Sequence, residues 1–272
     1  MNFLEKLSQA MRKNKSLLCV GLDTDPALLP DKTGVYEFNK AIIDATADLV
    51  CAYKPNIAFY EATGTPGLEA LKKTRDYIPA EIPVIIDAKR GDIGNTAKAY
   101  ARGLFEYYNF DAVTASPYLG FDSLEPFINY RDRGVFILCR TSNPGAADFQ
   151  SLQVEIGGIP KKLFEIVAEK VNMWNSRGNL GLVVGATYPQ ELKLIREKYP
   201  EIPLLIPGVG AQGGELEDVI RSGLDAKRER TIINSSRQIL YASRGKDFAG
   251  AARKAAEELR DKINRHPGDD TG

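Results

Sequence analysis

Eight short apolar runs, one beginning about every 30 residues, constrain the fold of this chain more than any other feature. They are Ser16–Leu22, Val50–Lys54, Val84–Asp87, Ala112–Ala115, Val135–Cys139, Gly181–Val184, Leu204–Ile206 and Thr231–Asn234. A strand with one wet face alternates polar and apolar side chains. These runs are nearly continuous in apolar residues, as parallel strands covered on both faces must be. Helical patterns lie between them, among others Thr65–Tyr77, Ile93–Tyr107, Lys161–Asn175, Pro189–Lys198 and Phe248–Ile263, with Pro189 and Asp247 at first-turn or capping positions. Strand and helix taken eight times predict an α/β fold, a (β/α)8 TIM barrel; an open doubly wound sheet gives the same alternation and is the other candidate. With 272 residues, 43% of them hydrophobic, the chain can fill one barrel of roughly 250 residues. No linker or repeat divides it. Residues 1–272 are therefore expected to form a single barrel domain, with a frayed tail over 265–272.

Charge and rare residues narrow the chemistry. Lys+Arg and Asp+Glu are equal at 36 each, which gives no reason to expect nucleic acid or an acidic membrane as partner. Cys19, Cys51 and Cys139 sit in or beside apolar runs without CxxC spacing, and are expected to be buried reduced thiols. The one histidine, His266, lies in the tail, so histidine-based catalysis and a histidine-rich metal site are not expected. No leader peptide and no membrane-spanning run are read in the sequence, and a cytoplasmic location is expected.

In barrels of this kind the chemistry sits at the C-terminal ends of the strands and in the loops that follow. The unusual charges of this chain collect there. Asp23 follows strand 1, Lys54 ends strand 2, and Asp87 and Lys89 end strand 3 with Asp92 just beyond. Side chains alternate along a strand, so Asp87 and Lys89 are expected to share a side and meet. A charge rarely ends an apolar strand without a partner or a task; the plainer alternative is a ring of ion pairs closing the barrel mouth. After strand 7 comes Ile206-Pro-Gly-Val-Gly-Ala-Gln-Gly-Gly214, in which Gly208, Gly210 and Gly213 allow backbone N–H groups to approach an anion, with a helix expected near Gly213. Arg237 follows strand 8. Loops 7 and 8 form the usual phosphate site of such barrels, and a guanidinium fork matches a phosphate.

The run Asp87-Ala-Lys-Arg-Gly-Asp92 resembles the Asp-x-Lys-x-x-Asp signature of the orotidine 5′-phosphate decarboxylases. Asp23, Lys54, the Pro-Gly-Val-Gly-Ala-Gln loop and Arg237 stand where that family has functional groups, and the likeness runs from about Ser16 to Ser243, closest to the longer bacterial branch. The resemblance implies decarboxylation of orotidine 5′-phosphate to UMP, without metal or cofactor. It implies Lys89 as the acid that protonates C6, Asp87 as the carboxylate facing the substrate's own, and Lys54 as a bridge between ribose and aspartates. Asp92 is implied to complete the charge network from the other subunit of a homodimer. Asp23 and Thr96 match ribose positions, and Pro207, Gln212 and Arg237 the phosphate grip. Ser116, in Thr114-Ala-Ser-Pro-Tyr-Leu-Gly120, is the candidate reader of the pyrimidine edge; Arg140-Thr-Ser-Asn-Pro-Gly145 resembles a site loop whose residues receive no separate roles.

Three other readings compete. A sugar-phosphate decarboxylase or hexulose-phosphate synthase shares the Asp-x-Lys-x-x-Asp arrangement but uses a magnesium-held enediolate and wants another acid where strand 2 offers Lys54. A Schiff-base aldolase needs a lysine of lowered pKa, which adjacent aspartates oppose. A non-catalytic phosphoribosyl-binding protein would have no need to keep Lys54, Asp87, Lys89 and Asp92 together.

Overall fold

A computed structural model describes residues 1–30, 32–209 and 216–265. The barrel strands are β1 (Leu18–Leu22), β2 (Ala52–Pro55), β3 (Ile85–Arg90), β4 (Ala112–Ala115), β5 (Gly134–Arg140), β6 (Leu180–Val184), β7 (Leu204–Pro207) and β8 (Thr231–Ser235). All pair in parallel in the order β2-β1-β8-β7-β6-β5-β4-β3. The Tyr53–Val84 and Asn56–Asp87 bridges join the two ends of that row. Closure into a ring identifies the (β/α)8 barrel and disposes of the open sheet, which would leave two edges unpaired.

β1, β2, β4, β6 and β8 are buried along their whole length, as their continuous apolar runs require. The helices Thr65–Tyr77 and Pro189–Lys198 occupy the expected residues. Asp247 stands at the start of the helix Phe248–Asn264, but its carboxylate makes no capping bond and takes the Ser243 hydroxyl instead, at 2.6 Å.

Two expectations need correction. The helix expected over Ile93–Tyr107 begins at Gly94 and widens to π geometry over Gly103–Tyr107. The helix expected from Lys161 begins at Leu163, because Lys161 belongs to an antiparallel hairpin, Gln153–Ile156 with Ile159–Lys162. Gly157 and Gly158, with φ of 63° and 80°, make the two-residue turn that such a hairpin needs. The turn signal was present in the sequence, but a reading built on parallel strands passes over it. A helix over Phe3–Asn14 packs beneath the barrel, with the Phe3 ring edge-on to Phe136 at 5.7 Å.

The three cysteines are buried and unpaired, and burial pushes the Cys19 thiol up to about 12. Among the described residues no helix is long and apolar enough to cross a membrane. Of the tail expected to fray over 265–272, Arg265 still donates its N–H to Asp261 O at 2.9 Å, and residues 266–272 lie outside the described residues.

Candidate active site

The C-terminal ends of β1, β2, β3, β7 and β8 surround a cleft whose wall includes Asp23, Lys54, Asp87, Gly208, Asn234 and Arg237. Lys54 is 3% exposed, yet not without a counter-charge: its Nζ lies 3.1 Å from Asp87 Oδ2. The Lys89 Nζ reaches the other oxygen, Oδ1, at 2.7 Å. Asp87 is thus clamped between two ammonium groups. Burial opposes its ionisation, but Lys54, Lys89 and the Thr114 hydroxyl outweigh burial and hold the carboxyl well below the usual carboxylate range. Burial likewise works against charge on Lys54, and the Asp87 and Asp23 carboxylates reverse it, raising the lysine above its ordinary value. This argues against Lys54 as a Schiff-base nucleophile, which must be neutral to attack.

Lys89 meets Asp87, though not by simple alternation. Ile86 pairs with Val113 and Arg90 with Ala115, so β3 carries an irregularity through Asp87, Ala88 and Lys89. Lys89 itself has φ 46°, a left-handed conformation that a side chain with a Cβ seldom adopts. Thr114, 1% exposed, fills the gap: its Oγ1 accepts the N–H groups of Ala88 and Lys89 at 3.1 and 3.0 Å and donates to Asp87 Oδ1 at 2.8 Å. Sequence reasoning missed this residue, since a threonine in a β-rich run carries no sign that distinguishes it from an ordinary strand residue.

Asp23 contributes a buried Oδ1 without a hydrogen-bond partner among the described residues, as do Asn234 Oδ1 and Ser235 Oγ at the end of β8. Buried polar atoms are normally bonded, so three open acceptors beside one cleft mark places for ligand donors. Pro207 ends β7 and its carbonyl accepts the Ala186 N–H at 3.0 Å; Gly208 follows with φ 96°, available to glycine without strain. Arg237 is exposed at the rim and opens the short helix Arg237–Leu240. Gly210, Gln212 and Gly213 lie outside the described residues.

The remaining expected residues do not join this cluster within the chain. Asp92 turns back on its own backbone, its Oδ1 accepting the Ile93 N–H at 2.8 Å, and Thr96 is exposed on the helix Gly94–Arg102. Ser116 accepts the Tyr118 N–H at 3.5 Å, and its backbone N–H donates to Arg90 O at 2.8 Å, which places it beside the end of β3. From the loop after β5, where no single residue had been chosen, Ser142 borders the cleft.

Comparison with known proteins places these features in a group. Residues 16–255 match the family model described as "Orotidine 5'-phosphate decarboxylase / HUMPS family". An orotidine 5′-phosphate decarboxylase of Dehalococcoides mccartyi is 56% identical over 266 residues, covering 98% of each chain. One from Herpetosiphon aurantiacus is 55% identical over 261 residues, covering 94% of this chain and 95% of the relative. The solved structure of Leishmania donovani OMP decarboxylase superposes with a TM-score of 0.83 at 42% identity, covering 97% of this chain and 98% of that one.

Proposed function

The chain belongs to the orotidine 5′-phosphate decarboxylase / HUMPS family, and from that premise we propose that it decarboxylates orotidine 5′-phosphate to UMP and carbon dioxide with its own side chains alone. The observation that carries this reading is the Lys54–Asp87–Lys89 chain at the barrel mouth, a carboxyl group held between two lysines. Its lysine on β2 also favours the decarboxylase over the magnesium-dependent sugar-phosphate enzymes, which need an acidic ligand there.

As the C6–carboxylate bond breaks, carbon dioxide departs and the electron pair stays on C6, in an orbital that the ring delocalises poorly. A fixed ammonium beside that carbon stabilises the developing charge. Lys89 then gives one N–H proton to C6, leaving a neutral amine that solvent reprotonates. Arginine could supply the charge but not the proton, which is a reason for lysine at this position. Asp87 holds the Lys89 Nζ at 2.7 Å and fixes its direction. Lys54 keeps Asp87 ionised and reaches towards the ribose.

The partnerless Asp23 Oδ1 is suited to a ribose hydroxyl. Pro207, Gly208 and Arg237, together with Gly210, Gln212 and Gly213, would receive the phosphate; Ser116 would stand at the pyrimidine edge. Asp92 and Thr96 would complete the neighbouring site of a homodimer, in keeping with their position outside this cleft and with Ile93, 60% exposed, between them. On this reading the whole chain works as one barrel domain in the cytoplasm.

The test is loss of the orotate absorbance on adding orotidine 5′-phosphate to purified protein with EDTA present, alongside Lys89→Ala. The expected outcome is EDTA-resistant loss that falls by at least about 10³-fold in the variant. Folded wild-type protein that leaves the absorbance unchanged, or is stopped by EDTA, rejects this reading in favour of metal-dependent sugar-phosphate chemistry.

A further inference from the structure

A single buried hydroxyl on β4 supports the geometry on which that chemistry depends. Between the Ile86–Val113 and Arg90–Ala115 pairs, β3 passes through Asp87, Ala88 and Lys89 while β4 passes through Thr114 alone. A regular ladder would give each β3 N–H a backbone carbonyl; here the surplus residues leave the N–H groups of Ala88 and Lys89 to find another acceptor. The Thr114 Oγ1 takes both, at 3.1 and 3.0 Å, and directs its own hydrogen to Asp87 Oδ1 at 2.8 Å. A hydroxyl has one hydrogen to give and two lone pairs to receive with, so every bond it can form is committed to this segment. At 1% exposure, no water stands ready to replace it. The same Oδ1 receives the Lys89 ammonium at 2.7 Å, and Lys89 is the residue held at φ 46°.

We propose that Thr114 is a positioning residue of the decarboxylase, shaping the β3 irregularity so that Lys89 curls back over Asp87 and the Asp87 carboxylate presents a fixed face to both lysines. It acts through Asp87 and Lys89 rather than on substrate, and the proposal rests on the decarboxylase reading above.

Thr114→Val keeps the shape of the side chain and removes its hydroxyl; Thr114→Ser keeps the hydroxyl and removes the methyl. The expected result is a kcat for Thr114→Val lower by roughly 10²-fold, with KM and UMP affinity within about threefold, because a small misplacement of a reacting group costs that much. Thr114→Ser should recover kcat to within about fivefold of wild type. A folded Thr114→Val of lowered melting temperature but unchanged kcat would show that the hydroxyl only ties β3 to β4, and would overturn the proposal. So would Thr114→Ser as slow as Thr114→Val, which would assign the effect to the methyl. Should Thr114→Val not fold, Thr114→Cys, close in shape to the serine variant but with a feeble hydrogen-bonding group, decides the matter by comparison with it: a normal kcat in Thr114→Cys rejects the positioning role. Wild-type protein without turnover in the same assay points instead to failure of the decarboxylase reading itself.

Discussion

Asp87 shows how a charge largely withdrawn from water is held. Its oxygens meet Lys54 at 3.1 Å and Lys89 at 2.7 Å, and removal from water is outweighed by these two cations. The sign of the pH dependence follows. A carboxyl whose pKa is depressed by folding stabilises the protein above its unfolded value and loses that contribution as pH falls through the folded one. Lys54, raised by Asp87 and Asp23, stabilises below its unfolded value and loses its contribution as pH rises through the folded one. The pair therefore contributes fully between about pH 4 and pH 10 and weakens on either side. The carboxyl carbon resonance of Asp87 should accordingly keep its ionised chemical shift well below about pH 4, where a free aspartate is already protonated, and Lys54→Met should move its midpoint upward. A wild-type midpoint near that of a free aspartate would mean that the lysines do not govern it. These charges were legible in the sequence because a polar residue ending an apolar strand is conspicuous. Thr114 was not, because its importance arises from an irregularity in β3 that no local pattern encodes.

At the scale of elements, the loop after β5 is held at both of its ends. Arg140, 2% exposed, ends β5 with its Nε 2.5 Å from Glu191 Oε2 on the helix Pro189–Lys198. Gln150 reaches back across the loop, its Oε1 accepting the Thr141 N–H at 2.8 Å and its Nε2 donating to Thr141 Oγ1 at 2.9 Å. Ser142, which borders the cleft, lies so close to the end of β6 that a Cβ on Gly185 would stand 2.8 Å from both its backbone N and its Cβ. Real Cβ atoms do not approach so closely, and part of the obstacle is backbone, so Gly185→Ala must push the loop away. Its kcat/KM for orotidine 5′-phosphate should drop by about 10-fold or more, with the barrel still folded by circular dichroism; an unchanged value would show that the loop relaxes without affecting the cleft. The strands around this site were readable from their apolar runs, and two helices to the residue, because continuous burial and first-turn prolines are local signals. The hairpin over 153–162 and the start of the following helix were not, since that segment projects from the barrel and is largely exposed, so the core imposes no pattern on it.

Across the whole molecule the two ends of the barrel divide the work. The groups proposed for chemistry and binding lie at the C-terminal ends of the strands, in the loops beyond them or, for Thr96 and Arg237, in the first turn of the helix that follows. At the opposite end a second buried cluster forms around Asp111, which precedes β4. Its Oδ1 takes the Lys6 ammonium at 2.8 Å, and its Oδ2 accepts the Val84 N–H at 2.9 Å and faces the Arg75 guanidinium at 3.5 Å. Asp111 thereby ties the N-terminal helix, the helix Thr65–Tyr77 and the entry to β3 to one carboxylate, and Lys6, Arg75 and Asp111 are each 8% exposed. Cations buried together are tolerable only while that carboxylate stands between them. Asp111→Ala should therefore cost about 3 kcal/mol or more of unfolding free energy, the range for breaking a buried pair from one side, read from urea denaturation. The site lies at the far end of the strands, so the folded fraction of the variant should keep kcat and KM within about twofold of wild type, because distant, independent effects remain separate. A variant as stable as wild type would show the cluster to be solvated and weak. One that folds normally but loses turnover would show that the two ends of the barrel are coupled through the strands, and that the geometry around Asp87 depends on how β3 and β4 begin as well as on how they end.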